Sequence, residues 1–189
     1  IIGQIDNDNI GISGIEKSFD EKLKFIKKPL MLTVDTDIQF LVREELKKFI
    51  SIFQSKGGTA ILMNVNNGEV ISMVSYPDFN LNQRVTIDDK NYINRATKGV
   101  YELGSVFKTF TVAAGLDKGL VKPQTEFLNL KKKLNCGKST IAEYDNKIMS
   151  DLTVEEILIK SGNIGSVRIG QMLEIEGLKS FLKKIGILN

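Results

Sequence analysis

Two runs of β-forming residues meet at a glycine turn and constrain everything around them. Thr59-Ala60-Ile61-Leu62-Met63-Asn64-Val65 leads into Asn66-Asn67-Gly68, and Glu69-Val70-Ile71-Ser72-Met73-Val74-Ser75 follows. Asn-Gly between two such runs is the strongest short-range hairpin signal, because both residues tolerate the positive φ of a tight turn. The first run is apolar at consecutive positions, which predicts a strand covered on both faces. Tyr76-Pro77 closes the second strand. Upstream, Asp35, Thr36 and Asp37 offer a cap and negative charge at the positive end of a helix. Ile38, Leu41, Val42, Leu46, Phe49, Ile50 and Phe53 then recur every three or four residues as far as Gly57-Gly58, predicting an amphipathic helix with one buried stripe. A sheet packed by helices on both sides is therefore expected.

The remaining segments are read in the same way. Residues 1–30 mix Gly3, Gly11 and Gly14 with charges and predict an irregular lead-in with a short helix near 15–25, followed by an extended Leu30–Val34. Residues 78–103 read as a polar connector. Gly104 to Leu116 is apolar nearly all round, the pattern of a buried helix, and Gly119 and Pro123 close it. A second connector, 120–150, carries Lys131-Lys132-Lys133 and Cys136. Thr153-Val154-Glu155-Glu156 is a capping box opening a helix to about Lys160. Ser161-Gly162-Asn163 interrupts it, and helices follow over Ile164 to about Glu174 and Gly177 to Ile185. The lone Cys136 forbids an intrachain disulfide.

The chain contains no histidine. That excludes a Ser-His-Asp triad, a Cys-His dyad and a His-ligated zinc site. The net charge of +3 is too small for a dedicated nucleic-acid binder. Chemistry must then rest on Ser, Lys, Tyr, Asp, Glu or backbone groups. Ser105-Val106-Phe107-Lys108 opens the buried helix, and i, i+3 spacing puts both side chains on one face. A buried lysine pays desolvation in its charged form, so its amine can serve as a base for the neighbouring hydroxyl. Taken alone, the spacing equally fits a serine bonded back to its own helix and a snorkelling lysine. Ser180-Phe181-Leu182-Lys183 repeats it by chance, and Gly137-Lys138-Ser139 lacks the upstream glycine of a P-loop.

The surrounding blocks decide between these readings. Asn94-Arg95-Ala96, Gly104-Ser105-Val106-Phe107-Lys108 and Ala113-Ala114-Gly115-Leu116 together resemble the nucleophile region of penicillin-binding proteins. Ser161-Gly162-Asn163 matches that family's second motif, Ser-x-Asn. Leu32-Thr33-Val34-Asp35 with Gln39 resembles the opening of the transpeptidase domain, and Gly68 through Pro77 its first hairpin. Gly11-Ile12-Ser13-Gly14-Ile15-Glu16 is similar to the junction from the preceding domain in class B, high-molecular-weight members.

The resemblance implies a serine D,D-transpeptidase that cross-links peptidoglycan without a cofactor. Ser105 would attack the D-Ala-D-Ala carbonyl of a stem peptide, Lys108 would be its base, Ser161 would pass the proton to the leaving amine, and Asn163 would bind the substrate backbone. β-Lactams would acylate the same serine. The implied setting is the periplasmic side of the bacterial cytoplasmic membrane, with divisome or elongation proteins as partners and no nucleic acid.

Two departures stand out. Leu103 replaces a frequent proline, and nothing after Asn163 supplies the third family motif, Lys-Ser/Thr-Gly. Lys160-Ser161-Gly162 spells it but overlaps the second motif. Losing an oxyanion donor from that strand costs ~10²–10³ in rate. The expected fold is α+β, a truncated penicillin-binding/β-lactamase-like transpeptidase fold with an antiparallel hairpin, a helical subdomain and no C-terminal strands. Its expected divisions are 1–30 (junction), 31–119 (first strands and nucleophile helix) and 120–189 (helical subdomain). An exposed hairpin edge and self-association follow. The alternatives are a β-lactam-hydrolysing or sensing relative, for which no deacylating residue is evident, and a non-catalytic divisome scaffold.

Overall fold

The computed structural model describes residues 1–80 and 93–188, and the chain divides into two compact units, Ile1–Tyr101 and Glu102–Asn189. Part of the connector expected over 78–103 lies outside the described residues. Among those described, no helix is long and apolar enough to cross a membrane.

In the first unit the lead-in forms two short helices, α1 (Gly14–Ser18) and α2 (Asp20–Phe25), divided at Phe19. Asp35 caps α3 (Thr36–Ile52), accepting from the Asp37 and Ile38 amides at 3.0 Å each. The expected hairpin is present. β1 (Gly58–Met63) pairs antiparallel with β2 (Val70–Tyr76), in register from Gly58↔Tyr76 to Leu62↔Ser72, with an irregularity before Met63↔Val70. Its turn is wider than two residues: the Asn64 amide donates to the Glu69 carbonyl at 2.9 Å and the Gly68 amide back to the Asn64 carbonyl at 2.8 Å. Gly68 takes the left-handed position, at φ +77°.

Gln39 locks α3 to β2. Its Oε1 accepts from Ser72 Oγ and the Met73 amide, both at 2.9 Å, while its Nε2 donates to the Met73 carbonyl at 2.8 Å. The Asp35 amide donates to the Ile71 carbonyl at 3.0 Å, and Thr33 Oγ1 to the Val70 carbonyl at 2.7 Å. Residues 33–39 thus satisfy the outer edge of β2, and a side-chain amide stands where a third strand would lie. The short α4 (Arg95–Lys98), capped by Asn94, packs on the same hairpin.

Two expectations fail here for one reason, the narrowness of a two-stranded sheet. β1 is not covered on both faces: Ile61 and Met63 are each 51% exposed, and among the described residues β1 pairs only with β2. Of the apolar residues on α3 only a row at i, i+4 spacing, Ile38, Val42, Leu46 and Ile50, is half-buried, and no residue is fully buried. Leu41, Phe49 and Phe53, expected in the stripe, face outward, with Phe49 and Phe53 stacked on each other. Two strands are about 10 Å wide and can cover little more than one row of a helix.

The second unit holds a well-buried core. A 3-10 turn, Gly104–Phe107, runs into α5 (Lys108–Asp117). Short strands β3 (Glu126–Phe127), β4 (Lys133–Cys136), β5 (Ser139–Ala142) and β6 (Leu152–Thr153) follow, pairing β3 with β6 and β4 with β5. The β4–β5 hairpin replaces part of the connector expected over 120–150. Its two-residue turn, Gly137-Lys138, places Gly137 at φ +60°, the glycine-first signal of a tight hairpin. The capping box is present at Thr153 and Glu156 and opens α6 (Val154–Ile159). α7 (Asn163–Lys184) breaks at Glu174, where φ is 56° and ψ 174°, between the two helices expected on either side. The Ser180/Lys183 pair lies exposed on it.

Val112, Ala114, Val121, Leu152, Val154, Ile157, Ile164, Ile169 and Leu173 form the core. The apolar pattern of 104–116 is only partly buried: on α5 itself Val112, Ala114 and Gly115 are inside, while Val106 in the 3-10 turn is exposed. Two glycines set the helix spacings. A Cβ at Gly115 would come within 3.0 Å of Ile169 and Val121, and one at Gly165 would meet three side-chain carbons of Ile157 at 2.5, 2.6 and 2.9 Å. Gly165→Ala gains ~1 kcal/mol of helix propensity but overpacks a fully buried isoleucine, which costs about 1–3 kcal/mol and leaves it little room to yield. Chemical denaturation of this variant is expected to show a lower midpoint than wild type with an unchanged m-value.

Candidate active site

α6 ends in a Schellman turn whose left-handed position is held by a serine. The Gly162 amide donates to the Ile157 carbonyl at 2.8 Å and the Ser161 amide to the Leu158 carbonyl at 3.1 Å, with Ser161 at φ 52°. Glycine is the usual occupant, because an L side chain in this conformation costs about 1–3 kcal/mol. The turn points the Ser161 carbonyl and hydroxyl, and two residues later Asn163, the first residue of α7, toward α5.

Lys108, first residue of α5, meets them. Its Nζ donates to the Ser161 carbonyl at 2.6 Å, to Ser161 Oγ at 3.1 Å and to Asn163 Oδ1 at 2.5 Å. An ammonium has three donors, and all three are used. Asn163 Nδ2 donates to the Ala142 carbonyl at 2.7 Å, which turns the amide oxygen toward the lysine. Burial pushes the Lys108 amine below its ordinary value of 10.5, and the negative charge of Glu143 acts in the opposite direction.

Ser105 is placed differently. It sits in the exposed 3-10 turn, where i and i+3 eclipse, so it stands over Lys108 on one line of the turn. Its Oγ makes no hydrogen bond to a described residue, and Lys108 is directed at Ser161 and Asn163 instead. The structure thus gathers Lys108, Ser161 and Asn163 tightly and leaves Ser105 adjacent with a free hydroxyl. Its amide lies in the first turn, where N–H groups lack intrahelical acceptors.

Glu143 is the neighbour that sequence reasoning missed. Its Oε2 accepts from the Asn163 amide at 2.7 Å and its Oε1 from the Ile164 amide at 2.9 Å. The available signal was negative: Gly162 at the N-cap has no side chain, so α7 needs a cap from elsewhere. Among the described residues no group of three or more His, Cys, Asp or Glu could hold a metal ion. Cys136 is exposed on β4.

Two outcomes are expected. Ser161→Gly relieves the left-handed strain and is more stable than Ser161→Ala by about 1 kcal/mol in thermal or urea unfolding. Because the folded chain binds the Lys108 proton more weakly than the unfolded chain, stability rises with pH between the lowered folded value and 10.5. Lys108→Met should lose that rise, measurable as unfolding midpoints across alkaline pH.

Comparisons with known proteins identify the family. The family model "Penicillin binding protein transpeptidase domain" matches residues 58–189. A probable peptidoglycan D,D-transpeptidase FtsI from Caulobacter vibrioides is 30% identical over 191 residues, covering 99% of this chain and 32% of that protein. A probable peptidoglycan D,D-transpeptidase PenA from Neisseria flavescens is 30% identical over 158 residues, covering 84% of this chain and 38% of the other. Among solved structures, the transpeptidase domain of Burkholderia pseudomallei penicillin-binding protein 3 superposes with a TM-score of 0.68 at 29% identity, covering 84% of this chain and 44% of that one. A structure described as a peptidoglycan glycosyltransferase from Burkholderia ambifaria gives a TM-score of 0.69 at 29% identity, covering 82% and 45%. The chain spans about a third of the length of the curated relatives it matches. With the family model matching well over half its length, and with mixed helices and strands that superpose on solved members, this chain belongs to the penicillin-binding protein transpeptidase domain family.

Proposed function

We propose that this chain carries the nucleophile half of a serine D,D-transpeptidase that cross-links peptidoglycan stem peptides in cell-wall synthesis and division. The observation that carries the reading is the Lys108 amine bound at once by Ser161 and Asn163, one helical turn from a free serine hydroxyl. With its amine neutral, Lys108 accepts the Ser105 Oγ proton as Oγ attacks the penultimate D-Ala carbonyl. The tetrahedral oxyanion lies near the Ser105 amide. Ser161 Oγ, already bonded to Lys108, relays the proton to the nitrogen of the terminal D-Ala, which departs as its C–N bond breaks. The amine of a second stem peptide then attacks the ester, the C–Oγ bond breaks as the new amide forms, and the amine's proton passes through Lys108 to Ser105 Oγ, which restores both residues. Asn163 Nδ2 and Oδ1 both hold protein partners here, so its part is to orient Lys108 until a substrate amide competes for it. Catalytic hydrogen bonds are often long in apo structures and tighten with substrate, which accommodates the absent Ser105–Lys108 bond.

A β-lactam follows the same first step, its ring amide opening onto Ser105. The setting we propose is the periplasmic side of the cytoplasmic membrane, in company with division or elongation proteins. Residues 1–30 serve as the junction from a preceding domain, with 31–189 as part of the transpeptidase domain. The β1 edge left unpaired among the described residues, flanked by exposed Ile61, Leu62 and Met63, makes a second copy of the chain its partner in isolation. A sedimentation profile that stays monomeric at every concentration overturns that association.

Intact-mass measurement after prolonged exposure to penicillin tests the chemistry. One adduct on Ser105, abolished by Ser105→Ala, is expected. Lys108→Ala should slow acylation by about 10²–10⁴, and Ser161→Gly should slow it despite its greater stability. A chain that takes no adduct at saturating penicillin overturns the reading in favour of a non-catalytic scaffold. Steady turnover of nitrocefin favours a hydrolysing relative.

A further inference from the structure

We infer that Glu143, which lies outside both serine motifs, is a positioning residue for the acyl-transfer site, capping α7 so that Asn163 is held against Lys108. The inference rests on the function proposed above.

α7 begins without a local cap, since Gly162 offers no side chain and its first amides have no intrahelical acceptors. The carboxylate of Glu143 spans two of them, Asn163 and Ile164, with one oxygen each, at 2.7 and 2.9 Å. A bidentate anion at the positive end of a long helix is favoured by both the hydrogen bonds and the helix dipole. Glu143 is itself anchored, its amide donating to the Lys132 carbonyl at 3.0 Å beyond the β4–β5 ladder. Ala142, the preceding residue, accepts from Asn163 Nδ2 at 2.7 Å. Two consecutive residues at the end of β5 therefore grip Asn163 by its main chain and by its side chain. What remains free of that grip is Oδ1, and it faces Lys108 Nζ at 2.5 Å. An ammonium can only donate, so an acceptor must stand there.

The same carboxylate sets the charge around the amine. From the α6–α7 corner Lys108 meets the neutral Ser161 and Asn163. Tyr144, next to Glu143, turns to the Lys160 carbonyl at 3.4 Å. The negative charge of Glu143 favours the protonated amine, against the larger effect of burial. Glu143 thus holds the base in place through Asn163, and its charge opposes the effect of burial on the amine.

The test compares wild type with Glu143→Gln, Glu143→Asp and Glu143→Ala in two measurements. The first is the pH titration of the Lys108 Nζ and Cε NMR signals. The second is the pH profile of Ser105 acylation by a fluorescent penicillin. Glu143→Gln keeps an acceptor oxygen for one helix amide, so it should fold, with Lys108 titrating at lower pH than in wild type. Its acylation should rise at correspondingly lower pH to a plateau about tenfold below wild type. Glu143→Ala should lose more, and Glu143→Asp should restore the wild-type titration in part. Lys108 titrating identically in wild type and Glu143→Gln overturns the inference, as does an unchanged acylation plateau in folded variants. A wild-type chain that is never acylated overturns the proposed function itself, and the inference with it.

Discussion

The second unit presents a half-buried lysine ammonium with three acceptors around it. A charge placed there without partners would be expensive, and the partners come from one place, the corner between α6 and α7. That corner must present a carbonyl, a hydroxyl and an amide within hydrogen-bonding distance of one nitrogen. The left-handed Ser161 supplies the first two from a single residue, and the cap on α7 supplies the third. Close helix spacing follows from the same requirement, since Gly115 and Gly165 let α5 and α6 approach α7 nearer than any side chain would allow. Strain at Ser161 and glycines in helix interiors both lower stability. They persist where a core of fully buried branched residues, Ile157, Ile164 and Ile169 among them, holds the backbone in place.

The first unit rests on a different economy. Its buried polar residue, Ser72, and its buried Val74 both lie on β2, and its largest apolar side chains on α3 remain half-buried or exposed. The lock between helix and strand is a side-chain amide, Gln39, rather than a packed apolar layer. A two-stranded ribbon with one helix buries too little apolar area to be strongly stable by itself. A β1 edge unpaired among the described residues and outward-facing apolar residues are the physical signs of a surface that another chain segment can cover.

Much of this was legible in the residues, and what failed did so for identifiable reasons. Local signals read correctly: the capping box at Thr153 and Glu156, the Asp35 cap, the glycine-turned hairpin, and the interruption near Glu174. The β4–β5 hairpin was missed because Lys131 to Ser139 is polar and lacks alternation, although Gly137-Lys138 carried the turn signal. The breadth of the α3 stripe and the coverage of β1 were overestimated because periodicity shows which face is apolar and not how much sheet is there to cover it. Within the site, Ser105, Lys108, Ser161 and Asn163 were all marked by motif. Glu143 was not, since a cap donated from another element leaves no local pattern beyond a helix start without one.

Sequence alone determined the chemical vocabulary. The absence of histidine removes an imidazole base, and Ser-x-x-Lys at one helix start and Ser-x-Asn at another mark Ser105, Lys108, Ser161 and Asn163 as the candidate residues. Tertiary structure decided how those residues face one another. It directed Lys108 toward Ser161 and Asn163 rather than Ser105, put Ser161 in a left-handed turn, and brought Glu143 from the end of β5 to the start of α7. The reason is that hydrogen bonds between residues far apart in the chain depend on how elements pack, and packing is set by the whole core rather than by any motif.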